Sequence, residues 1–203
     1  MKLTLLLLIL SFATFAVEPD VALVIAQIES NTSLKVLSKQ CPTEYLGELT
    51  EPFQDHQSFC STEPKSCLMQ CLAGDASYCL NLGHYLQSLE VDNYSSEALY
   101  SKACELGSAS ACTNRASGLL KFNGDEALSC SVKVFSLTCE SRDPWGCTMY
   151  GAFLASGKGV TRNFDKALEV LKIGCTHGIE DPACGTARKI ERQIKAARNN
   201  RDD

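Results

Sequence analysis

Histidine is scarce in this sequence. Only His56, His84 and His177 occur in 203 residues, and each stands alone, so the paired histidines of an H-E-x-x-H zinc helix are missing. No C-x-x-C occurs either, which removes the dithiol of a redox centre. The nearest approach to a short ligand pair is Cys67 with Cys71, and a structural zinc site needs two such pairs close together. A G-x-S-x-G elbow and a Gly-rich phosphate loop are both lacking, which leaves no local signature of acyl or phosphoryl transfer. Basic residues are not in surplus: 19 Lys and Arg face 24 Asp and Glu, a net charge of -5. That balance argues against nucleic acid as a partner, because such proteins neutralise phosphates with a basic face. After the first sixteen residues no apolar run is long enough to span a bilayer. The expectation is a protein with no metal, no cofactor, no nucleic-acid partner and no membrane span.

What the sequence does have begins with a leader. Lys2 precedes the apolar run LTLLLLILSFATF, and Thr14 and Ala16 place small residues before an expected cleavage point at Val17. Residues 1–16 therefore read as a signal peptide, and the mature chain is expected to be exported, either to a periplasm or outside the cell. With 45% hydrophobic and 21% charged residues, the full sequence has the composition of a globular protein. Export sets the meaning of twelve cysteines. In an oxidising compartment an even number at regular spacing reads as a disulfide framework.

The regularity is pronounced. Cys71 and Cys79, Cys104 and Cys112, and Cys139 and Cys147 are each eight positions apart, and Cys175 and Cys184 are nine apart. Their first members are separated by 33, 35 and 36 residues, the period of a helical-hairpin array. After each second cysteine comes a helical pattern with a small residue one turn on, at Gly83, Ala116 and Gly151, where two helices can approach closely. A second helix leads into the next cysteine pair, with Leu99 and Tyr100, Val134 and Phe135, and Val170 and Leu171 in register. Asp125 and Asp165 are the expected N-caps of two of these helices. Each unit thus reads as helix, turn, helix, turn, with a disulfide stapling the end of one unit to the start of the next.

The stretches SEALYSKACELGSASACTNRASGLL and CTMYGAFLASGKGVTRNFDKALEVLKIGC resemble Sel1-like repeats, in the cysteine-rich form named after the Helicobacter cysteine-rich proteins. The likeness runs over residues 63–187. It is strongest in the third repeat, at Gly151, Gly157, Gly159, Val160, Asp165, Lys166 and Ala167. In the second, Arg115 and Ala116 replace the leucine and glycine of the pattern, a departure expected to loosen or re-aim that hairpin. The resemblance implies an all-α fold, a right-handed α/α superhelical solenoid with disulfides across each repeat boundary. It also brings in penicillin binding and weak β-lactamase activity as an alternative function. Serine β-lactamases carry S-x-x-K, S-D-N and K-T-G, and none of the three occurs here.

Residues 17–62 precede the repeats. Val21, Val24, Ile25 and Ile28, then Leu34 and Leu37, form apolar faces at helical spacing and predict a helical cap over the first repeat. The linker that follows, with Pro42 and Pro52, reads as irregular or at most partly helical. Cys41, Cys60, Cys67 and Cys130 remain, and four cysteines allow three pairings. Cys60 with Cys67 matches the short loop of the repeat, which would leave Cys41 with Cys130 and require the cap to fold back onto the second repeat. Residues 188–203 form a basic C-terminal segment, with Arg188, Lys189, Arg192, Lys195, Arg198 and Arg201. It reads as a solvated helix face or as a contact for an acidic partner. The tripeptides at Asn31 and Asn93 match glycosylation acceptors, which applies only in a eukaryotic secretory route.

A stack of helical hairpins suits protein or peptide partners. The preferred reading is an exported scaffold with no catalysis of its own, and the alternative is a β-lactam or cell-wall-fragment binder. The candidate binding positions lie two and five residues after each second cysteine: Asn81 and His84, Asn114 and Ser117, Met149 and Ala152. Trp145, the single tryptophan, either packs on the neighbouring bridge or meets a ligand.

Overall fold

The computed structural model describes residues 18–49, 54–90, 93–121 and 124–199. The expected leader and its expected cleavage point, the segment around Pro52 and the last residues of the basic tail lie outside them. Among the described residues the chain forms eleven α-helices and no strand. Three hairpins carry the repeat: α5 (Ala76–Ser88) with α6 (Asn93–Glu105), α7 (Ala109–Leu119) with α8 (Asp125–Glu140), and α9 (Pro144–Ser156) with α10 (Phe164–Leu171). The first helix of each hairpin is here called A and the second B. Helix α11 (Pro182–Asn199) stands in the A position after the third hairpin.

Each A helix starts for the same local reason. Asp75, Ser108 and Asp143 sit four residues before the second cysteine of their pairs, and their side chains accept main-chain N–H groups of the first turn, satisfying donors that helix geometry leaves unpaired. The residue before each cap has a positive φ, 108° at Gly74, 97° at Gly107 and 64° at Arg142. Glycine adopts that region without cost; Arg142 does not. The B helices differ from expectation. Asp125 and Asp165 lie in the first turns of α8 and α10, and the capping positions belong to Gly124 and Asn163, whose side chain accepts from Lys166 N. Asp165 instead pairs with Arg198 of α11.

The hairpins close where side chains are small. A Cβ on Gly83 would lie 2.7 Å from Tyr100 Cε1, and one on Gly151 would lie 2.7 Å from Leu171. Tyr100 and Leu171 sit four residues before their cysteines, so the small position of A receives the bulky position of B in both units. In the second unit Ala116 takes that place, and its carbonyl accepts from Ser131 Oγ of α8 at 2.8 Å.

Four disulfides fasten consecutive units: Cys71 to Cys79, Cys104 to Cys112, Cys139 to Cys147 and Cys175 to Cys184, with Cα separations of 4.2 to 4.6 Å. Two more tie down the N-terminal region, Cys60 to Cys67 and Cys41 to Cys130. Helix α1 (Pro19–Ser30) buries Val21, Val24 and Ile28, and α2 (Thr32–Leu37) buries Leu34 and Leu37. These helices pack on α6, and α1 also packs on α4 (Pro64–Leu72); α3 (Gln57–Thr62) lies against α5. The linker contributes one 3₁₀ turn, Pro42–Glu44.

Arg115 shows why the second repeat departs from its pattern. The residue is 2% exposed. Nη1 donates to Glu97 Oε2 at 3.1 Å and Nη2 donates to the carbonyl of Ser38 at 2.7 Å. Ser38 is the C-cap of α2, where helix carbonyls lack internal partners. The arginine therefore ties the N-terminal cap to the second hairpin, so that of the two expectations, loosening or re-aiming, these contacts speak against loosening.

Candidate functional site

Consecutive A helices touch, α7 with α9 and α9 with α11, so the repeat-equivalent positions of these helices come to lie side by side on one face. The expected binding positions occupy that face unequally. Asn81 is 2% exposed and is covered by the linker: its Nδ2 donates to the carbonyl of Gln54 at 3.0 Å and to the carbonyl of Ser77 at 2.8 Å. His84 is half-buried and reaches across to the next repeat, where Asn114 Nδ2 lies 3.1 Å from His84 Nε2. Asn114 Nδ2 also donates to the carbonyl of Ser110 at 3.0 Å. The amide thus presents donors to the ring, and Nε2 is the acceptor. Burial holds the His84 pKa below its ordinary value, in keeping with a neutral ring.

Ser117 is partly buried and turns its hydroxyl back to the carbonyl of Thr113. Met149 is also partly buried and packs against the main core. Ala152 is partly buried. The structure therefore joins His84 to Asn114 directly and makes Asn81 and Met149 partly or wholly internal. Trp145 lies two residues before Cys147, the register of Ser77 and Ser110, and is 41% exposed. It is the open aromatic of the A face.

Sequence reasoning did not reach the buried polar cluster at the base of this face. Asp143, 3% exposed, accepts from Ser110 Oγ at 2.7 Å, from Thr113 Oγ1 at 2.8 Å and from Gly146 N at 2.7 Å. One carboxylate thereby caps α9 and holds α7 to it, since buried acceptors of this kind need their full set of donors. The signal was present in the sequence as an acidic residue four before a cysteine, but Ser110 and Thr113 become its donors only when the units stack.

Two further hollows lie away from this face. One, of about 340 Å³, adjoins Arg115, Glu97 and Lys121. Burial raises the Glu97 pKa, and Arg115 draws it back down. The other, of about 700 Å³, lies between α2 and the ends of α4 and α6. On α11, Arg188, Lys189, Arg192 and Lys195 face solvent while Ala183, Cys184, Ala187 and Ile194 are buried; Lys195 pairs with Glu191 on the same helix. Asn31, one of the two acceptor-like asparagines, uses its side chain to cap α2 by accepting from Leu34 N; the side chain of Asn93 lies outside the described residues. Among the described residues no helix is long and apolar enough to cross a membrane, and no cluster of three or more His, Cys, Asp or Glu could hold a metal ion.

No family model matches the chain. No curated protein matches it. Among solved structures it is similar to the Helicobacter pylori cysteine rich protein B, at 25% identity, over 64% of this chain and 96% of that one, with a TM-score of 0.47.

Proposed function

We propose that the chain is an exported, disulfide-rich repeat scaffold that binds a protein or peptide on its A face and carries out no catalysis of its own. The observation that carries the reading is Trp145. A large aromatic side chain, 41% exposed, stands where the repeat-equivalent residues of the two preceding hairpins are polar, Ser77 and Ser110. Exposed tryptophans rimmed by polar groups are typical anchors of protein interfaces. Six disulfides, with no free cysteine among the described residues, support an oxidising compartment, periplasmic or extracellular.

The test uses Trp145 as its own reporter, since no other tryptophan is present. Emission is followed while pools of synthetic decapeptides are added to the oxidised protein. Pools that bind are expected to shift the emission, and Trp145→Ala is expected to weaken their binding about tenfold when it is followed by a label on the peptide. Pools that leave the emission unchanged up to millimolar concentration would remove the peptide reading. Turnover of a chromogenic β-lactam would overturn the statement that the chain is not catalytic.

A further inference from the structure

The A face already holds a segment of the chain that belongs to no helix. Gln54 lies just before α3 and is pinned to α5 through its main chain at both ends of the residue. Its N–H donates to Ser77 Oγ at 3.2 Å, and its carbonyl accepts from Asn81 Nδ2 at 3.0 Å. Ser77 and Asn81 are four apart on one helix, so they share one face and present an acceptor and a donor to a single residue. Nothing in this contact reads the Gln54 side chain. Two residues on, the ring of His56 stacks on Tyr78 with centroids 4.0 Å apart and planes 9° from parallel, adding an aromatic platform beside the main-chain contact.

The geometry points to Ser77 and Asn81 as a main-chain clamp for extended peptides, occupied at rest by the chain's own Gln54, which a partner segment enters by displacing residues 54–56. This deepens the proposed function and rests on it. The repeat register carries the argument further. Ser110 and Asn114 are the same two residues one unit later, but there the serine donates to Asp143 and the asparagine faces His84. In the third unit the two positions are Trp145 and Met149. One clamp is thus filled by the linker, the next is engaged by neighbouring repeats, and the third offers an aromatic anchor. A partner that spans two A-helix intervals of roughly 10 Å each would need about six extended residues to reach from the clamp to Trp145.

Two measurements on the full oxidised chain test the clamp. In hydrogen exchange, the amides of residues 54–57 are expected to exchange at least tenfold faster than those of α5, through local opening, and to speed up a further tenfold in Asn81→Ala with α5 to α9 unchanged. In the second, a labelled peptide with the sequence of residues 50–58, TEPFQDHQS, is added in trans. Wild type is expected to bind it at least tenfold more weakly than Gln54→Pro, whose residue 54 lacks the N–H that Ser77 accepts. Adding Asn81→Ala to Gln54→Pro should abolish that gain. Exchange of residues 54–57 only together with α5 would make the segment a fixed structural cap and overturn the proposal. Equal peptide binding by wild type and Gln54→Pro, with all six bridges intact by mass, would overturn it as well. The exchange result needs no partner, so it stands or falls separately from the decapeptide experiment.

Discussion

Arg115 donates to the carbonyl oxygen of Ser38, 77 residues before it, and to the carboxylate of Glu97. One buried guanidinium therefore joins the end of α2, the start of α6 and the middle of α7. Removing Glu97 strands the buried guanidinium, and removing Arg115 leaves Glu97 only the longer contact to Lys121 at 3.9 Å. Arg115→Leu and Glu97→Leu are each expected to destabilise by about 3 kcal/mol, whereas the double variant should cost clearly less than the sum, because an apolar pair incurs no desolvation of charge. Urea unfolding of the four proteins gives the coupling; additive losses would show that the ion pair does not act as a unit.

His84 should make stability depend on pH. Its Nε2 accepts from Asn114, and burial lowers its pKa from the usual 6.5. The folded state therefore binds fewer protons there than the unfolded chain. The contribution is complete above pH 6.5 and is lost as pH falls through the folded-state pKa. An NMR titration should show His84 titrating below the usual 6.5, and His84→Gln should remove that part of the acid-side loss.

Gly83 tests the close approach of α5 and α6. Alanine is favoured over glycine inside a helix by about 0.5 to 1 kcal/mol, yet a methyl here would meet the ring of Tyr100 at 2.7 Å, and Tyr100 is held by Gln87 through its hydroxyl. Overpacking of this kind costs about 1 to 3 kcal/mol, so Gly83→Ala should lower thermal stability. Gly185→Ala on α11, with nothing within 4 Å of its Cβ, is expected to raise it.

Arg142 holds a φ of 64° at the place where the two preceding units use Gly74 and Gly107. Left-handed backbone costs a residue with a side chain about 1 to 2 kcal/mol, partly offset because glycine makes the unfolded chain freer. Arg142→Gly should therefore stabilise by up to about 1 kcal/mol, a rise of roughly 2 to 4 °C in Tm for a chain of this size. Unchanged or lowered Tm in a thermal melt would show that the arginine gains more from its surroundings than it loses in its backbone.

The six bridges should differ in weight. A closed loop of eight or nine residues restricts the unfolded chain by about 2.5 kcal/mol, whereas the 89-residue separation of Cys41 and Cys130 corresponds to about 4.5 kcal/mol. Paired Cys→Ala replacement of Cys41 and Cys130 should therefore lower stability more than replacement of Cys104 and Cys112. Denaturant midpoints of the two variants check the order.

The period of the cysteine pairs, the small positions Gly83 and Gly151, and the alternation of A and B helices were legible because each depends on residues within one hairpin. Helix geometry and loop length act over a few residues, so they leave a pattern in the chain. The N-caps were legible in part: Asp125 and Asp165 are good capping residues, but the turn geometry put Gly124 and Asn163 at the ends. Of the binding positions, spacing placed all six on the A helices, yet it carried no record of the linker that covers Asn81.

By itself, the sequence determined that the chain is a stack of helical hairpins stapled by bridges that each span eight or nine residues, since local periodicity and short-loop closure need nothing beyond neighbouring residues. The contacts between Cys41 and Cys130, Arg115 and Ser38, and Gln54 and Asn81 cross 89, 77 and 27 residues. Only the tertiary structure decided them. No local spacing encodes such pairs, because they form when the cap and linker are folded onto a surface that the repeats must first assemble.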